Sequence, residues 1–253
     1  MTIRYFSDNR NGKLAYVHLP ATKAGGALPA VMFLGGFKSD MAGTKAVYLE
    51  DQCRLRGQEF VRFDYSGHGV SDGDFVDGTI GSWLADAMDI LDHIVARDVI
   101  LVGSSMGGWI SLRLLQERES RIKGFVGIAA APDFTKRVKS EMSVADHDMI
   151  ALLGRLEVPN DYSDEPYIFT RSLLEDGDAQ SILGQHHKVA VPMVLIQGKE
   201  DEDVPWQTAE RINSAYPRAK IDIIYVEDGD HRLSRDQDLT LINDHVMRLS
   251  SLA

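Results

Sequence analysis

Two serines of this chain stand in the pattern Gly-x-Ser-x-Gly, which is typical of a serine that attacks an acyl carbon. Ser105 is the centre of 103–107 and Ser71 is the centre of 69–73. Such a serine needs a strand before it, a sharp turn around it and a helix after it. An apolar run precedes Ser105 and a helical pattern follows it, whereas Ser71 lies between a polar turn and an acidic loop. We therefore predict that Ser105 is a nucleophile and that Ser71 is a loop serine.

The base and the acid that such a serine requires follow two later strand-like runs. A serine hydroxyl is a weak nucleophile without a neighbouring base, and the base needs a carboxylate that orients it. In enzymes with this serine turn, the chain order is serine, acid, histidine, each in a loop after a strand. His231 follows the run 221–225 and is the predicted base. Two acids follow the run 193–196: the spacing Asp-x-x-Val-Pro favours Asp201, and the alternative is Asp203, which is otherwise a solvated loop charge.

Two backbone N–H groups must stabilise the oxyanion of a tetrahedral intermediate. One is expected from Met106, the residue after the nucleophile, at the positive end of a helix dipole. The other is expected from Phe37, in the loop after the first long apolar run, where Gly35 and Gly36 let the backbone approach a substrate. We therefore predict Phe37 and Met106 as the oxyanion-hole donors.

This chemistry requires neither a metal nor an organic cofactor, and we predict none. His186 and His187 are adjacent, but no carboxylate or cysteine stands at ligand spacing from them. The single cysteine, Cys53, lies in an apolar-periodic stretch and is interpreted as a buried hydrophobe rather than a nucleophile.

Short apolar runs alternate with helical patterns along the chain, and these elements must position the site residues. Most runs are apolar throughout, as in strands of a parallel sheet covered on both faces. Thr79 is expected to cap a helix with apolar residues at helical spacing, and a similar pattern lies near the C-terminus. The alternation predicts a single α/β domain over 1–253 with a mostly parallel, doubly wound sheet. The predicted strands are 31–34, 60–63, 99–102, 125–128, 193–196 and 221–225.

One stretch, 132–188, interrupts the alternation and contains no clear strand. We expect this insertion to form a helical lid or cap, because long insertions in compact domains are often functional. Its apolar side chains either cover a substrate pocket or pack the insertion onto the body of the domain, and the sequence does not favour one interpretation over the other. These side chains are Phe134, Met142, Met149, Tyr162, Tyr167 and Phe169.

Five segments of the chain carry a family resemblance: 36–46, 62–67, 101–109, 201–206 and 230–232. Together they are similar to the abhydrolase-domain-containing protein 10 family of α/β-hydrolases, and the resemblance covers essentially the whole chain. Gly-Thr-Lys-Ala in the first segment and Pro-Trp in the fourth are far more specific than Gly-x-Ser-x-Gly.

The resemblance implies the α/β-hydrolase fold, a triad of Ser105, Asp201 and His231, and oxyanion donors at Phe37 and Met106. Eukaryotic members of the family are mitochondrial acyl-protein thioesterases that also open acyl glucuronides. The sequence departs from many hydrolases in having Gly-Gly, rather than His-Gly, before the oxyanion donor. This departure removes a side chain but keeps the donor.

Composition excludes several other classes of protein. The 253 residues include 27 Lys and Arg against 38 Asp and Glu, a formal net charge of −11 that argues against a nucleic-acid partner. No run approaches the ~20 apolar residues of a membrane span. The first residues show neither a signal peptide nor a transit peptide, and one cysteine forms no internal disulfide. We therefore expect a cytoplasmic protein with no membrane span.

These observations predict a serine esterase or thioesterase that acts on a small acyl ester or an acylated protein. The main alternative is a general small-molecule carboxylesterase, including an acyl-glucuronide esterase. Lys38 and Arg232 flank the expected site and either meet a substrate carboxylate or are solvated charges. A further alternative is a non-catalytic receptor on the same fold, against which the complete set of serine, acid and histidine argues.

Overall fold

The strands of this computed structural model form a central sheet of eight strands and a separate sheet of two. The structure describes residues 2–7, 12–160 and 166–253. The strands are β1 (Arg4–Ser7), β2 (Lys13–Leu19), β3 (Ala30–Leu34), β4 (Phe60–Phe63), β5 (Val99–Ser104), β6 (Ile122–Ile128), β7 (Arg155–Val158), β8 (Tyr167–Thr170), β9 (Met193–Gly198) and β10 (Ile221–Val226). The central sheet has the order β1-β2-β4-β3-β5-β6-β9-β10. β2 pairs antiparallel with β1 and β4, and the strands from β4 to β10 in this order pair in parallel.

Helices connect the parallel strands and cover both faces of the sheet. They are α1 (Thr44–Arg56), α2 (Ile80–His93), α3 (Met106–Arg118), α4 (Phe134–Glu141), α5 (Val144–Leu153), α6 (Arg171–Ala179), α7 (Thr208–Ala215) and α8 (Asp236–Leu252). Short 3-10 helices lie at Phe75–Asp77 and Glu119–Arg121. Thr79 caps α2 as predicted, because its hydroxyl accepts the Ser82 N–H at 3.1 Å and the Ser82 hydroxyl accepts the Thr79 N–H at 2.8 Å.

The apolar runs of β3, β5, β6 and β9 are buried on both faces, as expected for strands inside a doubly wound sheet, whereas the edge strand β10 is half-buried. In β3, Val31 and Phe33 pack with α1 and α8, whereas Met32 and Leu34 pack with α2 and α3 on the opposite face. Successive side chains of a strand point to opposite faces, so an uninterrupted apolar run fills both layers. Cys53 of α1 is fully buried in the first layer, as predicted.

The insertion leaves the sheet after β6 and returns to it at β9, and it comprises α4, α5, β7, β8 and α6. The expectation of no strand there is wrong, because β7 and β8 form an antiparallel pair with Arg155 opposite Thr170 and Val158 opposite Tyr167. β7 has polar residues at alternate positions, so these four-residue strands lack the continuous buried apolar run that marks most strands of the central sheet. β1 and β2 were also absent from the predicted strands. Two of the four residues of β1 are polar, whereas β2 contains the buried apolar run 14–17, which was not recognised.

The helices of the described residues can be compared with the length and hydropathy of a membrane span. No helix there combines the length and the hydropathy that a bilayer span requires.

Candidate active site

Ser105 lies in the sharp turn between β5 and α3, with φ 52° and ψ −118°. A positive φ is rare for a residue with a side chain and places the hydroxyl on the outside of the turn. The neighbouring glycines are sterically required. A Cβ on Gly107 would lie 2.1 Å from the Leu34 carbonyl oxygen, and one on Gly103 would lie 2.4 Å from the Gly107 carbonyl oxygen. Gly107 is therefore required by the close approach of β3, and Gly103 by the close approach of the first turn of α3.

Ser105, His231 and Asp201 are joined by hydrogen bonds. The Ser105 Oγ lies 3.1 Å from His231 Nε2, and His231 Nδ1 lies 2.9 Å from Asp201 Oδ2. The three residues follow β5, β10 and β9, whose parallel strands end at the same edge of the sheet. In this arrangement Nδ1–H donates to the carboxylate, and Nε2 can accept the proton of the serine hydroxyl.

The Asp201 carboxylate is fully buried and held by four donors. Its Oδ1 accepts the backbone N–H groups of Asp203 and Val204 at 2.9 and 2.8 Å, and its Oδ2 accepts from Gln197 Nε2 at 2.8 Å and from His231. These donors hold the carboxylate in the orientation in which Oδ2 faces His231. Asp203 takes part in this network through its backbone N–H, which donates to Asp201 Oδ1.

Asp201, Asp203 and His231 also form a cluster of ligand-type groups with atoms within 4.8 Å of one another. Both ring nitrogens of His231 are engaged by Ser105 and Asp201, and both oxygens of Asp201 accept N–H groups. Asp201 and His231 of this cluster are therefore already joined to Ser105 and to backbone N–H groups in one hydrogen-bonded network.

The loop after β3 lies against the serine turn. A Cβ built on Gly36 would lie 3.5 Å from the Ser105 Cβ, and Phe37 follows within the turn closed by the Ser39 N–H and the Gly36 carbonyl at 3.3 Å. Met106 is the first residue of α3, where an amide has no carbonyl partner within the helix. Both predicted oxyanion donors thus belong to segments next to Ser105.

The ring of Phe37 is enclosed by aromatic rings from the insertion and from the body. It stacks on Phe169 with centroids 5.5 Å apart, and it meets the edges of Phe134, Tyr167 and Phe75 at 5.6, 5.5 and 4.9 Å. Phe134, Tyr167 and Phe169 also line the cleft above Ser105. These three residues therefore both cover a pocket and pack the insertion onto the body.

The other three apolar residues expected to cover the pocket lie in different places. Met142 lines the cleft, Met149 is exposed on α5, and Tyr162 lies outside the described residues.

The cleft has a volume of about 770 Å³ and is bounded by the loop after β3, the loop after β10 and the insertion. Val138, Met142, Leu156 and Val158 of the insertion give it an apolar wall. Lysine and arginine side chains also line it, together with acidic ones. The basic residues are Lys38, Lys45, Arg137 and Arg232.

Both of these lysines bridge separate segments. Lys38 Nζ donates to the Pro166 carbonyl at 3.0 Å, and Lys45 Nζ donates to the Arg232 carbonyl and lies 3.4 Å from the Ser234 hydroxyl. Burial lowers the pKa of Lys45 to about 8. The role of Lys45 was not predicted, although the Gly-Thr-Lys-Ala segment that contains it was recognised as unusually specific.

Ser71 has a structural position, as the sequence indicated. Its hydroxyl donates to the Asp64 carbonyl at 2.7 Å and accepts the Ala15 N–H at 2.8 Å. It therefore fastens the loop after β4 to β2.

The fold and the site geometry together define an α/β hydrolase. Residues 46–241 match the model of the alpha/beta hydrolase family. The mitochondrial palmitoyl-protein thioesterase ABHD10 of Mus musculus is 34% identical over 256 residues, which cover 99% of this chain and 84% of the relative. The chain belongs to the alpha/beta hydrolase family and, within it, to the ABHD10 family.

Solved structures agree with this assignment. A putative hydrolase from Agrobacterium vitis S4 superimposes with a TM-score of 0.92 at 38% identity, covering 99% of this chain and 100% of the other. Alpha/beta hydrolase domain-containing protein 10 from mouse superimposes with a TM-score of 0.90 at 30% identity over the full length of both chains. The predicted fold class, the family resemblance and the prediction of a hydrolytic enzyme are confirmed.

The expectation of a cytoplasmic protein is contradicted. The matching relatives from mouse, cattle and human are named as mitochondrial proteins. The expectation was based on composition and on the character of the first residues. Proteins are sent to a compartment by short targeting segments that receptors recognise. The composition of the folded domain and the character of the first residues therefore could not decide the compartment.

Proposed function

We propose that this hydrolase cleaves carboxylic esters or thioesters through an acyl-enzyme on Ser105, with His231 as base and Asp201 as the acid that orients it. The observation that carries the proposal is the pair of hydrogen bonds from the Ser105 hydroxyl to His231 at 3.1 Å and from His231 to Asp201 at 2.9 Å. A serine, a base and a buried carboxylate in this order are the requirements of acyl transfer.

In the acylation step, the Ser105 Oγ attacks the acyl carbon while His231 Nε2 takes its proton. Asp201 stabilises the imidazolium that forms, and the N–H groups of Phe37 and Met106 donate to the new oxyanion. The carbon–oxygen or carbon–sulfur bond to the leaving group then breaks, and the leaving alcohol or thiol receives the proton from His231.

In the deacylation step, a water molecule attacks the acyl-enzyme and His231 takes the proton of that water. The second tetrahedral intermediate uses the same two N–H donors, and its collapse returns the proton to Ser105 and releases the carboxylic acid. Each of these proton transfers is made by a residue of the chain.

An acylated protein or a small acyl ester is the substrate class that we propose, and the insertion 132–188 would act as the lid over it. Val138, Met142, Leu156 and Val158 offer an apolar wall for an acyl chain within a volume typical of small-molecule sites. The ABHD10 relatives are named palmitoyl-protein thioesterases, which supports a thioester of a long acyl chain.

The second candidate function is that of a general small-molecule carboxylesterase, including an acyl-glucuronide esterase. Arg137 and Arg232 line the same cleft as Ser105. A guanidinium can bind a substrate carboxylate through two parallel hydrogen bonds, which favours an acidic leaving group for such an enzyme.

Matched oxyester and thioester series with acyl chains from two to sixteen carbons would test the proposal, with Ser105→Ala as control. A rate maximum at long thioesters would support the acyl-protein thioesterase, and a maximum at short oxyesters would support the general carboxylesterase. Labelling by a fluorophosphonate reports independently on Ser105. Absence of both turnover and Ser105 labelling would overturn the proposal and leave a non-catalytic receptor.

A further inference from the structure

His68 is buried beneath the turn that carries Phe37, and no step of the proposed reaction uses it. Its Nε2 lies 3.2 Å from the backbone nitrogen of Lys38, and its Nδ1 lies 3.3 Å from the Ser66 carbonyl oxygen. A carbonyl oxygen only accepts, so the proton of the neutral ring is on Nδ1. Nε2 therefore accepts the N–H of Lys38, a residue thirty positions away in sequence.

The surroundings of His68 keep the ring neutral and fixed. It packs against Tyr65, Phe75 and Trp83 with ring centroids 5.5, 5.1 and 5.0 Å apart, and only 3% of the residue is exposed. Burial lowers the pKa of His68 to about 4. Trp83 Nε1 donates to the same Ser66 carbonyl at 3.1 Å, which fixes the acceptor of Nδ1–H.

The amide that His68 holds belongs to a strained part of the oxyanion loop. Lys38 has φ 56°, in the left-handed region that residues with a side chain rarely adopt. Within this turn the Gly36 carbonyl accepts the Ser39 N–H at 3.3 Å and the Ser39 hydroxyl at 2.8 Å. The bond from the Lys38 N–H to His68 is a further restraint on the peptide that directly follows Phe37, and it comes from a residue outside the turn.

We propose that His68 is a positioning residue for the oxyanion hole. By accepting the Lys38 N–H, it keeps the turn in the conformation that directs the Phe37 N–H towards the oxygen that becomes negative. A small displacement of such a donor weakens transition-state stabilisation strongly, because the donor must match the oxyanion rather than the ground-state carbonyl. The inference rests on the proposed function, in which the Phe37 N–H is an oxyanion donor.

The test compares His68→Leu with His68→Gln, with His93→Leu as the matched control. Leucine has no acceptor, whereas the Gln Oε1 can occupy the position of Nε2 and accept the Lys38 N–H. His93 is an exposed histidine at the end of α2 and does not line the cleft. Hydrolysis of p-nitrophenyl butyrate gives kcat and KM, and inhibition by butylboronic acid reports affinity for a transition-state analogue.

We expect His68→Leu to lower kcat by about 10- to 100-fold and to weaken boronic acid binding in parallel, with KM within about twofold of the parent. His68→Gln should restore kcat to within about threefold of the parent, and His93→Leu should match the parent. A folded His68→Leu enzyme with parental kcat, or a His68→Gln enzyme as slow as His68→Leu, would overturn the proposal.

Nuclear magnetic resonance of the unmodified protein tests the contact itself, even where His68→Leu does not fold. We expect His68 in the Nδ1-protonated tautomer and a slowly exchanging Lys38 amide; the other tautomer, or a rapidly exchanging amide, would overturn the proposal. Failure of the positioning role leaves the parent enzyme active and Ser105 labelled. Failure of the proposed function instead shows as a parent that neither turns over nor labels, and it removes the positioning role as well.

Discussion

The ring of Phe169 lies parallel to the ring of Phe37, with 3° between their planes and 5.5 Å between their centroids. Phe169 belongs to β8 of the insertion, whereas Phe37 belongs to the loop that carries a proposed oxyanion donor. Lys38 Nζ adds a hydrogen bond at 3.0 Å to the Pro166 carbonyl, directly before β8. Because these contacts are adjacent, the insertion and the oxyanion loop form one packed unit.

Replacing Phe169 by leucine should therefore reduce catalysis without abolishing it. A stacked aromatic pair contributes about 0.5–1.5 kcal/mol beyond its buried area, which corresponds to a decrease of about two- to thirteenfold in kcat if the pair orders the loop. Michaelis kinetics on a short acyl ester would measure it, with Phe6→Leu, which removes a ring stacked on His93 at 5.1 Å, as control. An unchanged kcat with a raised KM would show that Phe169 only contacts substrate.

Asparagine at position 201 should be far more damaging than asparagine at position 203. Asp201 Oδ1 accepts two backbone N–H groups and Oδ2 accepts from Gln197 and His231, so the amide nitrogen of Asp201→Asn meets donors at either position. At the Oδ2 position it opposes the Gln197 amide and faces His231 Nδ1. It would then donate to Nδ1, and the ring proton would move to Nε2, where it blocks the base.

For Asp201→Asn we expect a fall in kcat of about 10³- to 10⁴-fold, and for Asp203→Asn a fall of less than about tenfold. Steady-state kinetics near neutral pH would compare the two variants. Equal losses of kcat, or a larger loss for Asp203→Asn, would show that Asp201 is not the acid that orients His231.

The sequence predicted the sheet and the order of its site residues because both depend on local patterns. Short runs, most of them apolar throughout, marked the parallel strands, and the loops after three of these strands carried Ser105, Asp201 and His231. Since parallel strands end at one edge of the sheet, residues in such loops are expected to meet. The structure brings these three within hydrogen-bonding distance.

The contacts that shape the site could not be predicted, because they join distant segments. His68 accepts the Lys38 N–H only because two separate loops lie side by side in the fold. Phe169 stacks on Phe37 although more than a hundred residues separate them in sequence. Such pairs depend on tertiary packing rather than on periodicity. The short strands β7 and β8 were missed for a related reason, since pairing with each other rather than a long apolar run defines them.

Removing the hydroxyl of Ser71 should weaken the fold and leave turnover in place. The hydroxyl serves two backbone groups, the Asp64 carbonyl and the Ala15 N–H, and truncation leaves both without this partner. We expect Ser71→Ala to lower the free energy of unfolding by about 1–3 kcal/mol, as measured by urea denaturation. Ser105→Ala is the matched control and should abolish turnover with little change in stability. An inactive Ser71→Ala enzyme beside an active Ser105→Ala enzyme would reverse the assignment of the nucleophile.

The buried ammonium of Lys45 should make stability depend on alkaline pH. Burial lowers its pKa from 10.5 to about 8; Arg232 acts in the same direction, whereas Asp230 and Asp238 oppose it. Between these two pH values the unfolded chain binds more protons at this lysine than the folded chain does. The free energy of unfolding therefore gains a contribution that rises with pH, up to about 3 kcal/mol, and this contribution is lost as the pH falls through 8.

Urea unfolding of the parent and of Lys45→Met, measured between pH 7.5 and 10.5, isolates this contribution because the other groups cancel in the difference. We expect the stability of the parent relative to Lys45→Met to increase across that range. Lys188→Met, which removes an exposed lysine, controls for the loss of one positive charge and should show no such increase. A flat difference, or one that decreases with pH, would mean that Lys45 keeps its proton in the folded protein and that its bond to the Arg232 carbonyl compensates fully for burial.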